Sequence, residues 1–197
     1  GLRGATVRKL IAAMKLSLDG RSEGPDGYAD WVEAWSEDYG LMDRIDACLL
    51  GGRMYPGYEQ YWTAIQQAPE RPLPMTGKLA HPAELAWSNF ARQTPHYVLS
   101  ATLPSVTWPQ TRVLRQLSEV RELKESPGKD IYLMGGAMLT GSLLEAGLVD
   151  EMHCIVHPLL VGPAKGPFDA VTRRRALTLL QQRPLGKGRL HLTYQVG

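Results

Sequence analysis

Residues 130–158 constrain this chain more than any other stretch. Ile131, Tyr132, Leu133 and Met134 form a short apolar run, as in a strand buried on both faces. Gly135 and Gly136 follow at once. Met138, Leu139, Leu143 and Leu144 then recur at helical spacing, and Gly147 stands where a helix C-cap belongs. Met152 opens a second apolar run that continues to Val156. A strand–glycine turn–helix–strand unit of this kind belongs to an open α/β sheet, which receives its ligands at the carboxyl ends of the strands. Two glycines let the backbone approach a phosphate closely, and the helix behind them offers unpaired N–H groups to an anion. On the glycines alone, a tight turn without a ligand is the simpler account.

The rest of the chain repeats the pattern. Leu10, Ile11, Ala12, Ala13 and Met14 predict a buried first strand. Residues 17–28, with Gly20 and the Gly24-Pro25-Asp26-Gly27 turn, predict a flexible loop after it. Asp30 and Glu33 have capping-box spacing ahead of a helix carrying Trp31, Ala34, Trp35, Met42 and Ile45 on one face. Asp30 is therefore both a candidate N-cap and a candidate proton donor. Residues 47–50 predict a second strand running into Gly51, Gly52 and Arg53, whose planar guanidinium suits a phosphate as well as a surface ion pair. Tyr58, Tyr61 and Trp62 predict a short packed helix, residues 68–82 a loop, and residues 83–91 either a short helix or more of that insertion. Tyr97, Val98 and Leu99 predict a third strand with Ser100 and Ala101 at its end. Residues 111–125 read as one amphipathic helix with a solvated charged face. Residues 176–182 and 189–196 read as an antiparallel edge hairpin turning over 184–188.

Composition bounds the function. The 197 residues fit a single domain spanning 1–197. A net charge of +2 demands neither a nucleic acid nor an acidic membrane as partner. Cys48 and Cys154 both lie in apolar runs, as buried free thiols of a reducing cytoplasm would. No segment is apolar for long enough to span a bilayer, and the first residues lack a secretory pattern.

These residues, taken in order, resemble the dihydrofolate reductase-like family, which includes the reductase domain of riboflavin biosynthesis. The resemblance is carried by residues 10–14 with Ser17-Leu18-Asp19-Gly20, by residues 50–55, by residues 97–100, and by Met134-Gly135-Gly136-Ala137 with residues 147–151 and 158–162. It implies a three-layer α/β fold with a mixed, mostly parallel central sheet and a C-terminal antiparallel hairpin. It further implies NADPH as cofactor, a small-molecule substrate and a homodimer. Carried over, Gly135, Gly136 and Ala137, with Met138 and Leu139 behind them, would face the pyrophosphate. Gly52, Arg53 and Met54 would hold phosphates, and Ser100 and Ala101 would lie on the adenosine side. Ala12 and Ala13 would run along the nicotinamide, with Asp19 and Gly20 in the loop over it. Asp30 and Asp19 are the candidate catalytic carboxylates. Two departures stand out: Ala101 replaces an arginine common in relatives, and Ala137 replaces a third glycine.

The zinc deaminase that accompanies this reductase in the bifunctional riboflavin enzyme needs a His-x-Glu and a Pro-Cys-x-x-Cys. The chain has neither, so no metal is implied. Two functions remain open at this point. One is an NADPH-dependent reductase of a pterin-like, heteroaromatic or carbonyl compound. The other is a nucleotide-binding module without turnover.

Overall fold

The computed structural model describes residues 7–32, 39–74 and 76–197. Its centre is an eight-stranded sheet built from β1 (Leu10–Ser17), β2 (Ile45–Gly51), β3 (His96–Leu99), β4 (Thr111–Leu114), β5 (Asp130–Gly135), β6 (Glu151–His157), β7 (Leu177–Gly186) and β8 (Arg189–Val196). The spatial order is β4-β3-β2-β5-β1-β6-β8-β7. All pairings through β6 are parallel, and β8 joins β6 antiparallel before turning back into β7.

The central strands are apolar at nearly every position because both sheet faces are covered. On one face, Leu10, Ala12, Leu49 and Leu133 pack against Val120 and Leu123 of α3 (Leu117–Glu125) and Leu143 and Leu144 of α4 (Ala137–Glu145). On the other, Leu50 and Val98 meet Tyr55, Tyr58, Trp62 and Ile65 of α1 (Tyr55–Gln67) and Ala91 of α2 (Pro82–Gln93). The result is three layers, with β1 at the middle of the sheet.

Three sequence expectations are corrected. Among the described residues no helix leads into β2: Gly40 is in the left-handed region at φ +73, residues 42–44 form a turn, and Ile45 is already a strand residue paired with Asp130. Glu33, Ala34 and Trp35 of that expected helix lie outside the described residues. The helix expected over 111–125 is two elements. Thr111 and Val113 extend the sheet beyond β3, and helix begins only after Gln116, where Glu119 accepts the backbone N–H groups of Arg115 and Gln116. Here β pairing across the chain outweighs an apolar spacing that also suits a helix. The hairpin turns over Lys187 and Gly188 alone, both at positive φ, as a two-residue hairpin turn requires. β7 therefore runs on through Pro184, which an edge strand tolerates.

Candidate functional site

Three strands end together at the carboxyl edge of the sheet. A Cβ on Gly51, at the end of β2, would stand 3.6 Å from the amide nitrogen of Gly136 and 3.7 Å from Leu139 Cδ2. One on Gly52 would collide with Ser100 Oγ at 2.5 Å, so the ends of β2 and β3 touch only because Gly52 has no side chain. Gly135 lies at φ +125, joined to Gly136 by a cis peptide bond, and a Cβ there would stand 3.7 Å from Met54 Sδ. Gly136 itself has φ −77 and opens onto free space, where a Cβ would meet nothing within 4 Å.

That free space adjoins the start of α4. Gly136 is its N-cap and contributes no side chain, so nothing on the cap residue covers the N–H groups of Ala137, Met138 and Leu139. Met138 is exposed. Arg53, also exposed, has no ion pair among the described residues. Open glycine backbone, a free helix N-terminus and an unneutralised guanidinium fit the diphosphate of a dinucleotide.

Ala12 and Ala13 are buried, so their contribution to a ligand is backbone and a small surface. β1 pairs with β5 only as far as Ala12 and Leu133, but with β6 as far as Ser17 and His157. Beyond Ala12 β1 has no β5 partner, at the point where Gly135 turns away, and the gap between the two strand ends is the crevice that a switch point offers a ligand. The chain leaves β1 toward β2 and leaves β5 toward β6, in opposite directions, which is the topological switch point of the sheet.

The loop after β1 is clasped rather than loose. The Asp19 carboxylate accepts the Ser17 hydroxyl at 2.5 Å, the Val161 N–H at 3.1 Å and the Gly162 N–H at 2.8 Å. These bonds, the Ser17 hydroxyl first, bring its pKa down to about 2. Gly20 (φ +80) lies beside Phe168, and Gly166 abuts the Gly20 carbonyl so closely that any Cβ there would clash. Asp19 is thus an ionised hydrogen-bond acceptor at neutral pH. Asp30 is an exposed turn residue, remote in sequence from any strand end.

Ser100 Oγ accepts the N–H groups of Thr102 at 3.2 Å and Leu103 at 2.9 Å, which bends the chain sharply after β3. Ala101 is exposed on that bend. Arg115, which follows β4, donates to the Ser100 carbonyl at 3.1 Å.

One group of polar residues was missed in the sequence. His153 on β6 neighbours Ala13, and His191 and Thr193 on β8 neighbour Ile155 and His153. All three are buried. Arg183 contacts His191 Nδ1 at 3.3 Å; His191 Nε2 lies 2.9 Å from His153 Nδ1; and His153 Nε2 lies 2.7 Å from Glu151. An arginine only donates and a carboxylate only accepts, so one order satisfies the chain: Arg183 to His191, His191 to His153, His153 to Glu151. Burial alone would raise the Glu151 pKa, but hydrogen bonds from His153 and Arg44 overturn this and hold it at about 2. Tyr39 sets its ring edgewise against both histidines, and Lys15 lies over that ring. The signal was present as period-two polarity, Glu151-x-His153 and His191-x-Thr193, on strands read only through their apolar members.

Fold and crevice together define a dihydrofolate reductase-like α/β domain. Dihydrofolate reductase from Enterococcus faecalis, solved in complex with NADP(H), superposes with a TM-score of 0.59 over 96% of each chain at 13% identity. Within that fold the chain belongs to the RibD C-terminal domain family, whose model matches residues 8–190. This is a family of NADPH-dependent reductases. The chain is 32% identical over 191 residues to the uncharacterized protein YyaP of Bacillus subtilis, covering 95% of this chain and 94% of that one. It is 30% identical over 163 residues to the riboflavin biosynthesis protein RibD of Mycobacterium tuberculosis, covering 79% of this chain but 42% of RibD. Among the described residues, no helix is long and apolar enough to cross a membrane.

Proposed function

We propose that this chain is an NADPH-dependent reductase of a pterin-like, other heteroaromatic or carbonyl small molecule. One observation carries the reading: the two glycine turns and the free N-terminus of α4 meet at the switch-point crevice, beside the open edge of β1. The cofactor, when bound, supplies the hydride. The chain's part is to hold the diphosphate at 135–139, to seat the nicotinamide along Ala12 and Ala13, and to keep water out with the clasped loop. Neither Asp19, committed to two amides, nor Asp30, exposed, is buried or poised as an acid. His153, a buried polar residue, pairs with Ala13 across β1 and β6.

The absence of an evident acid favours a second reading, a nucleotide-binding module without turnover. Following NADPH absorbance across a panel of oxidised pterins, aminopyrimidines and small carbonyls separates the two. Consumption of NADPH with any of them supports the reductase, and tight binding without consumption supports the module.

We infer as well that the protein works as a homodimer, as the family resemblance implies. β7 is one edge strand of the sheet, β4 being the other, and it exposes Leu177, Leu179 and Leu180 beside half-buried Tyr194 and Val196. A second copy offers the same edge for antiparallel pairing and the same apolar surface to cover.

A further inference from the structure

Neither Asp19 nor Asp30 is placed to give up a proton, but a phenol over β1 is. Ile11, Ala13 and Lys15 project from one face of β1, and Tyr39 packs against the apolar group that contains Ile11 and Ala13. The Tyr39 ring stands edgewise to Tyr132 of β5, which pairs with Ile11, and to His153 of β6, which pairs with Ala13, with centroids 6.4 Å apart in both cases. Tyr39 therefore lies over β1, between its two neighbouring strands. Lys15 is buried two residues nearer the carboxyl edge. It brings Nζ to 3.5 Å from the Tyr39 hydroxyl and 5.2 Å from the ring centroid. The pair sits over the stretch of β1 that the reductase reading gives to the nicotinamide.

We propose that the Tyr39 hydroxyl is the general acid of the reduction and that Lys15 is its positioning residue. This rests on the reductase reading above and supplies the proton that it leaves unassigned. The electrophilic carbon of a carbonyl or imine substrate receives the hydride from the dihydronicotinamide. The π pair of the C=O or C=N bond moves to the heteroatom, which takes the phenolic proton. The products are the alcohol or amine, the oxidised cofactor and a Tyr39 phenolate that regains a proton from water. A lysine ammonium beside a phenol favours the phenolate, which makes the phenol a readier donor. Tyr39 is half-buried and can meet a substrate, whereas Lys15 is only 7% exposed. His153 is otherwise engaged: its ring nitrogens lie 2.9 Å from His191 and 2.7 Å from Glu151. Tyr132 from β5, His153 from β6 and His191 from β8 also face the Tyr39 ring. Burial pushes the Tyr132 pKa up and keeps that phenol protonated.

The test compares the full chain with Tyr39→Phe and Lys15→Met, using NADPH and the panel of pterins, aminopyrimidines and carbonyls. Tyr39→Phe keeps the ring and its packing, so circular dichroism and NADPH titration should match the wild type. With any substrate that the wild type reduces, kcat should fall about a hundredfold or more while KM changes little. Lys15→Met should lower kcat and move the alkaline limb of its pH profile upward, because the phenol then ionises later. Ultraviolet difference titration without cofactor reads the pair independently of turnover. The phenolate transition that Tyr39→Phe removes should move to higher pH in Lys15→Met. Should Tyr39→Phe fail to fold, the shifts in Lys15→Met decide alone. A folded Tyr39→Phe protein that works at the wild-type rate would overturn the assignment and leave the reductase reading in place. An alkaline limb and a phenolate transition that stay put in Lys15→Met would overturn the pairing and mark Lys15 as structural. A wild type that consumes no NADPH with the whole panel would instead remove the reductase reading, and this inference with it.

Discussion

The carboxylate of Asp19 accepts the backbone N–H of Gly162 at 2.8 Å and joins two loops 143 residues apart in sequence. With the Val161 and Ser17 bonds, it turns the segment after β1 into a fixed wall of the crevice. Asp19→Ala should therefore speed amide hydrogen exchange at Val161 and Gly162 while leaving exchange in β1 and β6 unchanged. The folded-state pKa is depressed, to about 2 from 3.8. The clasp is thus complete above pH 4 and weakens as pH falls through about 2. Slow exchange at both amides in the Ala variant would show that the loop is held by other contacts.

Gly135 and Gly136 look equivalent in the sequence but have different tasks. Gly135 lies at φ +125, where an L residue is strained, so Gly135→Ala should cost about 1–3 kcal/mol of stability. Gly136 has φ −77 and faces open space, so Gly136→Val should fold with a near-native melting temperature. Its side chain would fill the volume in front of the α4 amides, and NADPH binding should be lost. Urea titration and cofactor titration on the same samples separate the two effects. A folded Gly136→Val protein with unaltered NADPH affinity would place the cofactor elsewhere.

The legible parts of this chain were those encoded locally. The run from Ile131 through Gly147 to Val156 carries its strand, turn, helix and cap within one window, and β5, α4 and β6 formed where that pattern put them. Arg115 was hidden because strand β4 exists only through pairing with β3, which no local spacing reveals. The fate of Asp19 was hidden for the same reason: Ser17 is two residues away, but the amides that hold the carboxylate come from the far end of the chain. His153 and His191 drew no notice because each is isolated in sequence and they meet only when β8 lies against β6.

The exposed leucines of β7 give a direct test of assembly. Leu179 and Leu180 are about half exposed, so replacing either by lysine should change the stability of the single chain little. In a homodimer paired through this edge, the same change buries charge against apolar surface. Light scattering behind size-exclusion chromatography should give a dimer mass for the wild type and a monomer mass for Leu179→Lys. A monomeric wild type at micromolar concentration would sink the assignment.

His96 predicts how stability responds to acid. Its ring is fully buried at the start of β3. Nδ1 donates to the Thr94 carbonyl at 2.7 Å, which leaves Nε2 to accept the Tyr58 hydroxyl at 2.8 Å, while Trp87 donates to that hydroxyl at 3.2 Å. This is a satisfied neutral imidazole with no position left for a second ring proton. Burial is the main cause that lowers its pKa to about 4, from 6.5. Between these values the unfolded chain binds a proton that the folded chain refuses. The His96 contribution is therefore intact above pH 6.5, declines as pH falls toward 4, and amounts in full to about 3 kcal/mol. Urea unfolding from pH 7 to pH 4 should show this decline in the wild type and a shallower one in His96→Gln, which has no ring to protonate. Tyr58→Phe should cost about 1–3 kcal/mol at pH 7, because it leaves both Nε2 and the Trp87 N–H without their buried partner. Parallel pH profiles for wild type and His96→Gln would show that other groups control the acid limb.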